Sequence, residues 1–145
     1  MKKSERLSVL VKIEESKERA EARKFSKYQK EVQEKRNKLT DLQDYLEEYR
    51  QKFLALSRQG SDADKIRSCY AFISQLNAAV AQQQKVILDA EHVADQYRQI
   101  WIQAKQRMDI LEQTISNFRE EELRHEHKQD QLLADELSRN NQHNH

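Results

Sequence analysis

Apolar residues recur in two columns of period seven through the second half of the chain. One column runs Ile66, Ile73, Val80, Ile87, Ala94, Trp101, Met108 and Ile115. The other, three residues on, runs Cys69, Leu76, Gln83, Ala90, Tyr97, Ala104, Leu111 and Phe118, with Gln83 as its polar member. The positions between them are largely Gln, Lys, Arg, Asp, Glu and Ser. Alternating steps of three and four, held without a slip, are the a/d seam of a left-handed coiled coil. An amphipathic helix lying on a globular core rarely keeps one stripe for so long.

Residues 4 to 58 repeat the period. Val11, Phe25, Val32, Leu39, Leu46 and Phe53 form one column, interrupted by Glu18. Leu7, Tyr28, Leu42, Tyr49 and Leu56 form the other, interrupted by Glu14, Glu21 and Lys35. The seam is strong from Phe25 onward and ragged before it, so weak pairing is expected toward the N-terminus. Between the two runs lies Ser57-Arg58-Gln59-Gly60-Ser61-Asp62-Ala63-Asp64, which holds the chain's one Gly. Gly60 can end the first helix in a left-handed cap. Ser61 or Asp62 can cap the second, and Asp64 stands three after Ser61 in a capping-box arrangement.

A short turn of this kind sends the second helix back along the first. The expected fold is therefore all-α, a long two-helix antiparallel coiled-coil hairpin. It reads as a single domain over 1–145, with helices at about 4–58 and 64–139, a turn at about 59–63 and a frayed polar tail at 140–145. Placing Leu56 opposite Ile66 sets the register. The layers that follow are Phe53/Cys69, Tyr49/Ile73, Leu46/Leu76, Leu42/Val80, Leu39/Gln83, Lys35/Ile87, Val32/Ala90, Tyr28/Ala94, Phe25/Tyr97, Glu21/Trp101, Val11/Leu111 and Leu7/Ile115. Large residues often meet small ones, as dense packing requires. The first helix then runs out near Ser4, opposite Phe118, and the second continues alone through Leu132, Leu133 and Leu137.

Composition agrees with this reading. The 145 residues include no Pro and one Gly, so little in the chain breaks a helix. Charged residues are 35% and aromatic residues 7%, a coiled-coil balance. Cys69 has no second cysteine to bond with and falls on the seam, as a small buried thiol would. A reducing setting fits it. No apolar run reaches the length of a membrane span. The N-terminal stretch is too short and too charged for a secretory signal.

The net charge of +1 hides an asymmetry, because residues 1–40 hold thirteen Lys or Arg against seven Glu. A basic first arm would serve a nucleic-acid or cytoskeletal adaptor. Its charges are mixed in sequence, however, and no aromatic residues interleave with a basic stripe. A solvated helix face is the better reading, and no nucleic-acid partner is expected. Chemistry is sparse. His125 and His127 are two apart and do not share a helix face, unlike the i, i+4 pair of a zinc helix. One Gly cannot build a phosphate loop, and a two-stranded coiled coil supplies no concavity for catalysis. No enzyme, cofactor, catalytic residue or metal site is expected.

One feature exceeds what a seam requires. Tyr45 and Phe72 both fall at position g, where Glu or Lys is usual. Ala79 is also a g position and shares the flank of Tyr45. With Leu42, Tyr49 and Leu76 below them, they make an apolar aromatic edge near the turn, of the kind that anchors a partner.

The run Leu42-Gln43-Asp44-Tyr45-Leu46-Glu47-Glu48-Tyr49-Arg50 resembles the first-helix motif of the flagellar export protein FliJ family. Tyr70-Ala71-Phe72-Ile73-Ser74-Gln75-Leu76-Asn77-Ala78-Ala79 resembles that family's start of the second helix. The stretch from Trp101 to Met108, the length and the hairpin layout agree over nearly the whole chain. Injectisome stalk proteins are similar in shape with weaker agreement in sequence. The resemblance implies a non-catalytic, cytosolic part of the flagellar type III export apparatus, shaped like the central stalk of a rotary ATPase. Its implied partners are the export ATPase hexamer, the cytoplasmic domain of the export gate and the chaperones of late substrates. Association with the inner face of the membrane is implied through those partners only. The implied gate-contacting residues are Leu42, Tyr45, Tyr49, Phe72, Leu76 and Ala79, and Gln83 stands where some relatives carry His. The two ends far from the turn are the portion implied to enter the hexamer.

Overall fold

The computed structural model describes residues 2–143. They form two α-helices that pack against each other as a hairpin, α1 over Lys3–Arg58 and α2 over Ala63–His143, and no strand occurs among them. α2 runs past the end expected for it. Residues 140–143 continue the helix instead of fraying, because no Gly or Pro follows Gly60 and Asn costs well under about 1 kcal/mol against Ala. The last two residues of the expected tail, Asn144 and His145, lie outside the described residues, as does Met1.

The turn is built from the cap that its sequence implies. Gly60 takes φ +64°, a conformation that costs a residue with a Cβ much more than it costs glycine. That geometry lets the Ser61 N–H donate to the Leu56 carbonyl at 3.1 Å and the Gly60 N–H to the Ser57 carbonyl at 3.4 Å. Two orphan carbonyls at the end of α1 are satisfied in this way, in a Schellman arrangement. At the start of α2, Asp62 is the cap. Its carboxylate accepts the Asp64 N–H at 3.2 Å. Its carbonyl accepts the first helical bond, from Ile66.

Backbone contacts divide the chain into two compact units, Glu21–Ile100 and Met1–Ala20 with Trp101–His145. In the first, Leu46, Cys69, Ile73 and Leu76 form a buried cluster, with Leu42, Tyr49, Phe53, Leu56 and Val80 packed against it. The Cys69 thiol lies 3.6 Å from the Tyr49 carbonyl. Further from the turn, Gln83 is 6% exposed, and its amide donates to the Lys35 carbonyl at 2.9 Å. Tyr28 and Tyr97 stack with ring centroids 4.3 Å apart, tilted by 14°. Arg36 pairs with Glu91 at 2.8 Å. These contacts straddle the layers that follow from Leu56 opposite Ile66, so that register holds in this unit.

In the second unit Ala104 and Ile115 are buried. Here the glutamates that interrupt the first seam are accommodated rather than expelled. Glu18 accepts a hydrogen bond from the Trp101 indole at 2.8 Å. Glu14 keeps only 22% of its side chain exposed. One of its oxygens is 3.5 Å from the Lys17 ammonium and the other is buried without a hydrogen-bond partner. The start of α1 is held by α2. Glu122 accepts the Ser4 hydroxyl at 2.7 Å and the Ser4 backbone N–H at 3.3 Å. A carboxylate at a helix N-terminus satisfies an orphan N–H and meets the positive end of the dipole. Lys2 adds an ion pair to Glu126 at 2.6 Å, and the Lys3 ammonium lies 5.6 Å from the Phe118 ring centroid. α1 thus ends opposite Phe118, as the register requires.

Two measurements test this arrangement. On a Cys69→Ser background, cysteines placed at Tyr28 and Tyr97 should be joined by a short bismaleimide within one chain at every protein concentration. Joining only between chains would mean a parallel dimer.

The second concerns Glu122, whose carboxyl is held below its ordinary value, first by the hydrogen bond from the Ser4 hydroxyl. A depressed value in the folded state means that the contact adds stability above the ordinary glutamate pKa. That stability is lost as pH falls through the depressed one. Carboxyl carbon NMR should find Glu122 titrating below the ordinary glutamate midpoint, and Ser4→Ala should move it up toward that midpoint. An unchanged midpoint in Ser4→Ala would rule the contact out.

Candidate partner-binding site

The residues singled out at the turn-proximal end divide into two groups. Leu76 belongs to the buried cluster, and Leu42 and Tyr49 pack against it. Their spacing on the seam dictates this, since each faces the opposite helix once per heptad. Ala79 is half-buried beside Val80. Tyr45 and Phe72 stand outside, 54% and 38% exposed. Position g points past the seam, so a large ring placed there keeps one face in water.

Phe72 is nonetheless not a free-standing ring. Its centroid is 4.4 Å from that of Tyr49, with the planes tilted by 51°. The Lys52 ammonium sits 5.3 Å from the Tyr49 ring centroid, within cation–π range. Tyr49, Lys52, Leu56, Asp64, Lys65, Ser68, Cys69 and Phe72 line an open cleft of about 530 Å³. Tyr45 has different company on α1, in a shallow recess with Asp41, Asp44 and Glu48. The structure therefore brings Leu42, Tyr49, Phe72 and Leu76 around one cluster, while Tyr45 is exposed among carboxylates.

One aromatic residue of this surface was not evident as a site residue from the heptads. Tyr70 is 61% exposed, with its ring 6.0 Å from that of Phe53. It falls at position e, the opposite flank from Tyr45 and Phe72. The signal that would have found it is the same: an aromatic residue where a charged one is usual.

Nothing in this arrangement resembles a reaction centre. Among the described residues no group of three His, Cys, Asp or Glu could hold a metal ion. No helix among them is long and apolar enough to cross a membrane. What the geometry offers is contact area: aromatic faces held against a buried cluster, with cations and carboxylates beside them. Rings held in place lose little freedom when a partner covers them.

No curated protein and no solved structure matches the chain. The sequence model described as the flagellar FliJ protein matches residues 2–145. With essentially the whole chain covered, and with a two-helix hairpin as its fold, the chain belongs to the FliJ family, and thereby to flagellar biogenesis and type III protein export.

Proposed function

We propose that the chain is a non-enzymatic central stalk of the flagellar export apparatus. It acts in the cytoplasm at the inner face of the cell membrane, links the export ATPase hexamer to the cytoplasmic domain of the export gate, and binds export chaperones. Gate contact falls to Leu42, Tyr45, Tyr49, Phe72, Leu76 and Ala79. The observation that carries this reading is the pair of exposed rings, Tyr45 and Phe72, beside a buried cluster that includes Leu76. Exposed apolar groups that lie together on one flank, rather than singly, mark interaction surfaces. Covering each ring again removes apolar area worth roughly 25 cal/mol per Å². Family membership supplies the machine in which such a partner would be found.

The test separates binding from folding. Tyr45→Ala removes a side chain that is mostly in water, so the melting curve should stay within about 0.5 kcal/mol of the parent. Phe72→Ala also removes a ring contact with Tyr49 and the apolar area that ring covers, and should cost the hairpin roughly 1–3 kcal/mol. Truncation of an interface anchor typically costs about 2 kcal/mol, or roughly thirtyfold in affinity. The Tyr45→Ala, Phe72→Ala chain should therefore stay helical yet lose capture of the gate's cytoplasmic domain and fail to restore motility. Normal motility in that variant would reduce the patch to padding of the seam.

Leu76→Ala is the contrasting change. It opens a space in the buried cluster, and urea unfolding should show a loss of about 2–4 kcal/mol together with loss of function. If Leu76→Ala left stability unchanged, the cluster would not be the core of this unit.

A further inference from the structure

In the unit formed by Met1–Ala20 with Trp101–His145, the charges of α1 are sorted by face. Glu14, Glu15 and Glu18 are half-buried, and Glu18 is bonded to Trp101. The exposed positions of the same stretch carry Lys2, Lys3, Arg6, Lys12, Lys17 and Arg19 against Glu5 alone. Lys2 is paired with Glu126, and Lys17 lies near Glu14, while Arg6, Lys12 and Arg19 form no ion pair among the described residues. The mixed charge of the linear sequence is thus resolved into an inner acidic face and an outer basic one.

Apolar groups run through the basic face. Arg6, Val9, Leu10, Ile13 and Lys17, spaced three and four apart, share one stripe. Val9 is 53% exposed, Leu10 47% and Ile13 47%. The seam on this stretch is supplied separately by Leu7 and Val11, which are half-buried.

We propose that this outer face of α1 docks directly onto an anionic lipid bilayer. Val9, Leu10 and Ile13 enter the interfacial layer, and Arg6, Lys12, Lys17 and Arg19 lie among the headgroup phosphates. The long basic side chains can keep their charge in the headgroups while their stems cover apolar surface. Lipid fits this face better than nucleic acid, because a phosphate backbone attracts the cations but gives three bare aliphatic residues nothing to bury against. It also fits better than a folded protein, whose anchors are typically Trp, Tyr and Arg set into pockets. The stripe here is aliphatic and lies on the face of one helix turned away from the seam. Such docking adds a direct membrane contact to any association through partners, and it is open to the chain before assembly. It does not depend on the proposed gate contact.

Vesicle sedimentation of the full chain tests the proposal. The vesicles are phosphatidylglycerol with phosphatidylethanolamine at roughly one to three, or phosphatidylcholine alone. Binding is expected on the anionic vesicles, with little on the neutral ones, and should weaken as salt rises from about 0.05 to about 0.5 M. Leu10→Gln with Ile13→Gln should lower partitioning about tenfold or more. Arg6→Gln with Lys17→Gln should do the same. Tyr45→Ala should leave it unchanged, which separates this surface from the gate contact.

Circular dichroism of each variant checks that the hairpin remains. If either pair of changes lowers helicity, Lys12→Gln with Arg19→Gln replaces it, since both side chains are exposed and form no ion pair. Failure of the parent chain to sediment with anionic vesicles at low salt would overturn the proposal, as would equal binding to neutral ones. So would retention on duplex DNA that ignores the Leu10 and Ile13 changes, which would mark a nucleic-acid surface. Loss of export-ATPase binding in these variants, without vesicle binding by the parent, would mark a protein surface and overturn it as well.

Discussion

The seam between α1 and α2 carries the apolar burial on which the other features depend. Each helix presents about two residues per heptad to the other, and no side chain among the described residues is fully removed from water. A globular core buries residues from several directions. Here each buried residue has neighbours along its own helix and on one partner helix, so a single truncation opens a gap that few side chains can relax into. The same geometry explains the composition. With one apolar stripe per helix, the remaining positions must be polar, and a charged fraction of 35% follows.

A seam of this kind is uniform enough to slip by a heptad unless something marks the register. The polar residues on it are the marks. Gln83 has its amide on the Lys35 carbonyl, and Glu18 has a carboxylate oxygen on the Trp101 indole. On a slip of seven Glu18 would lose the Trp101 indole and leave a carboxylate unsatisfied in a partly buried site, whereas Gln83 needs only a backbone carbonyl within reach. The Ser4–Glu122 contact is likewise specific to this register at the start of α1, where it also satisfies one orphan N–H. Apolar layers supply most of the burial, and these polar contacts limit the ways in which the layers can be matched.

The heptads made most of this legible, and the reasons for the remainder are specific. The two columns, the lone Gly and the turn residues were sufficient for the hairpin and its pairing. Periodicity reports which face a residue occupies, and packing then follows. It is silent on what a polar residue on that face will meet. Glu14 and Glu18 looked like interruptions because the pattern carries no record of Trp101 or Lys17 beside them. Phe72 looked detached because position g lies off the seam, yet its ring is long enough to reach Tyr49. The tail from Asn140 looked frayed because it is polar, although polarity alone does not end a helix that meets no breaker.

The two exposed apolar surfaces differ in how closely they are tied to the fold. Near the turn, Phe72 contacts Tyr49, and Tyr49 packs on the buried cluster. Truncation of Phe72 therefore also loosens the hairpin, whereas Tyr45 can vary at little cost to stability. On the N-terminal stretch of α1 the separation is cleaner. Leu7 and Val11 serve the seam while Val9, Leu10 and Ile13 face water, so the outer stripe can change without disturbing the pairing. Packing and exposure share side chains in the first case and are divided between faces of one helix in the second. Val9, Leu10 and Ile13 stand exposed among cations while the seam residues of the same stretch are half-buried, so the fold leaves this stripe uncovered.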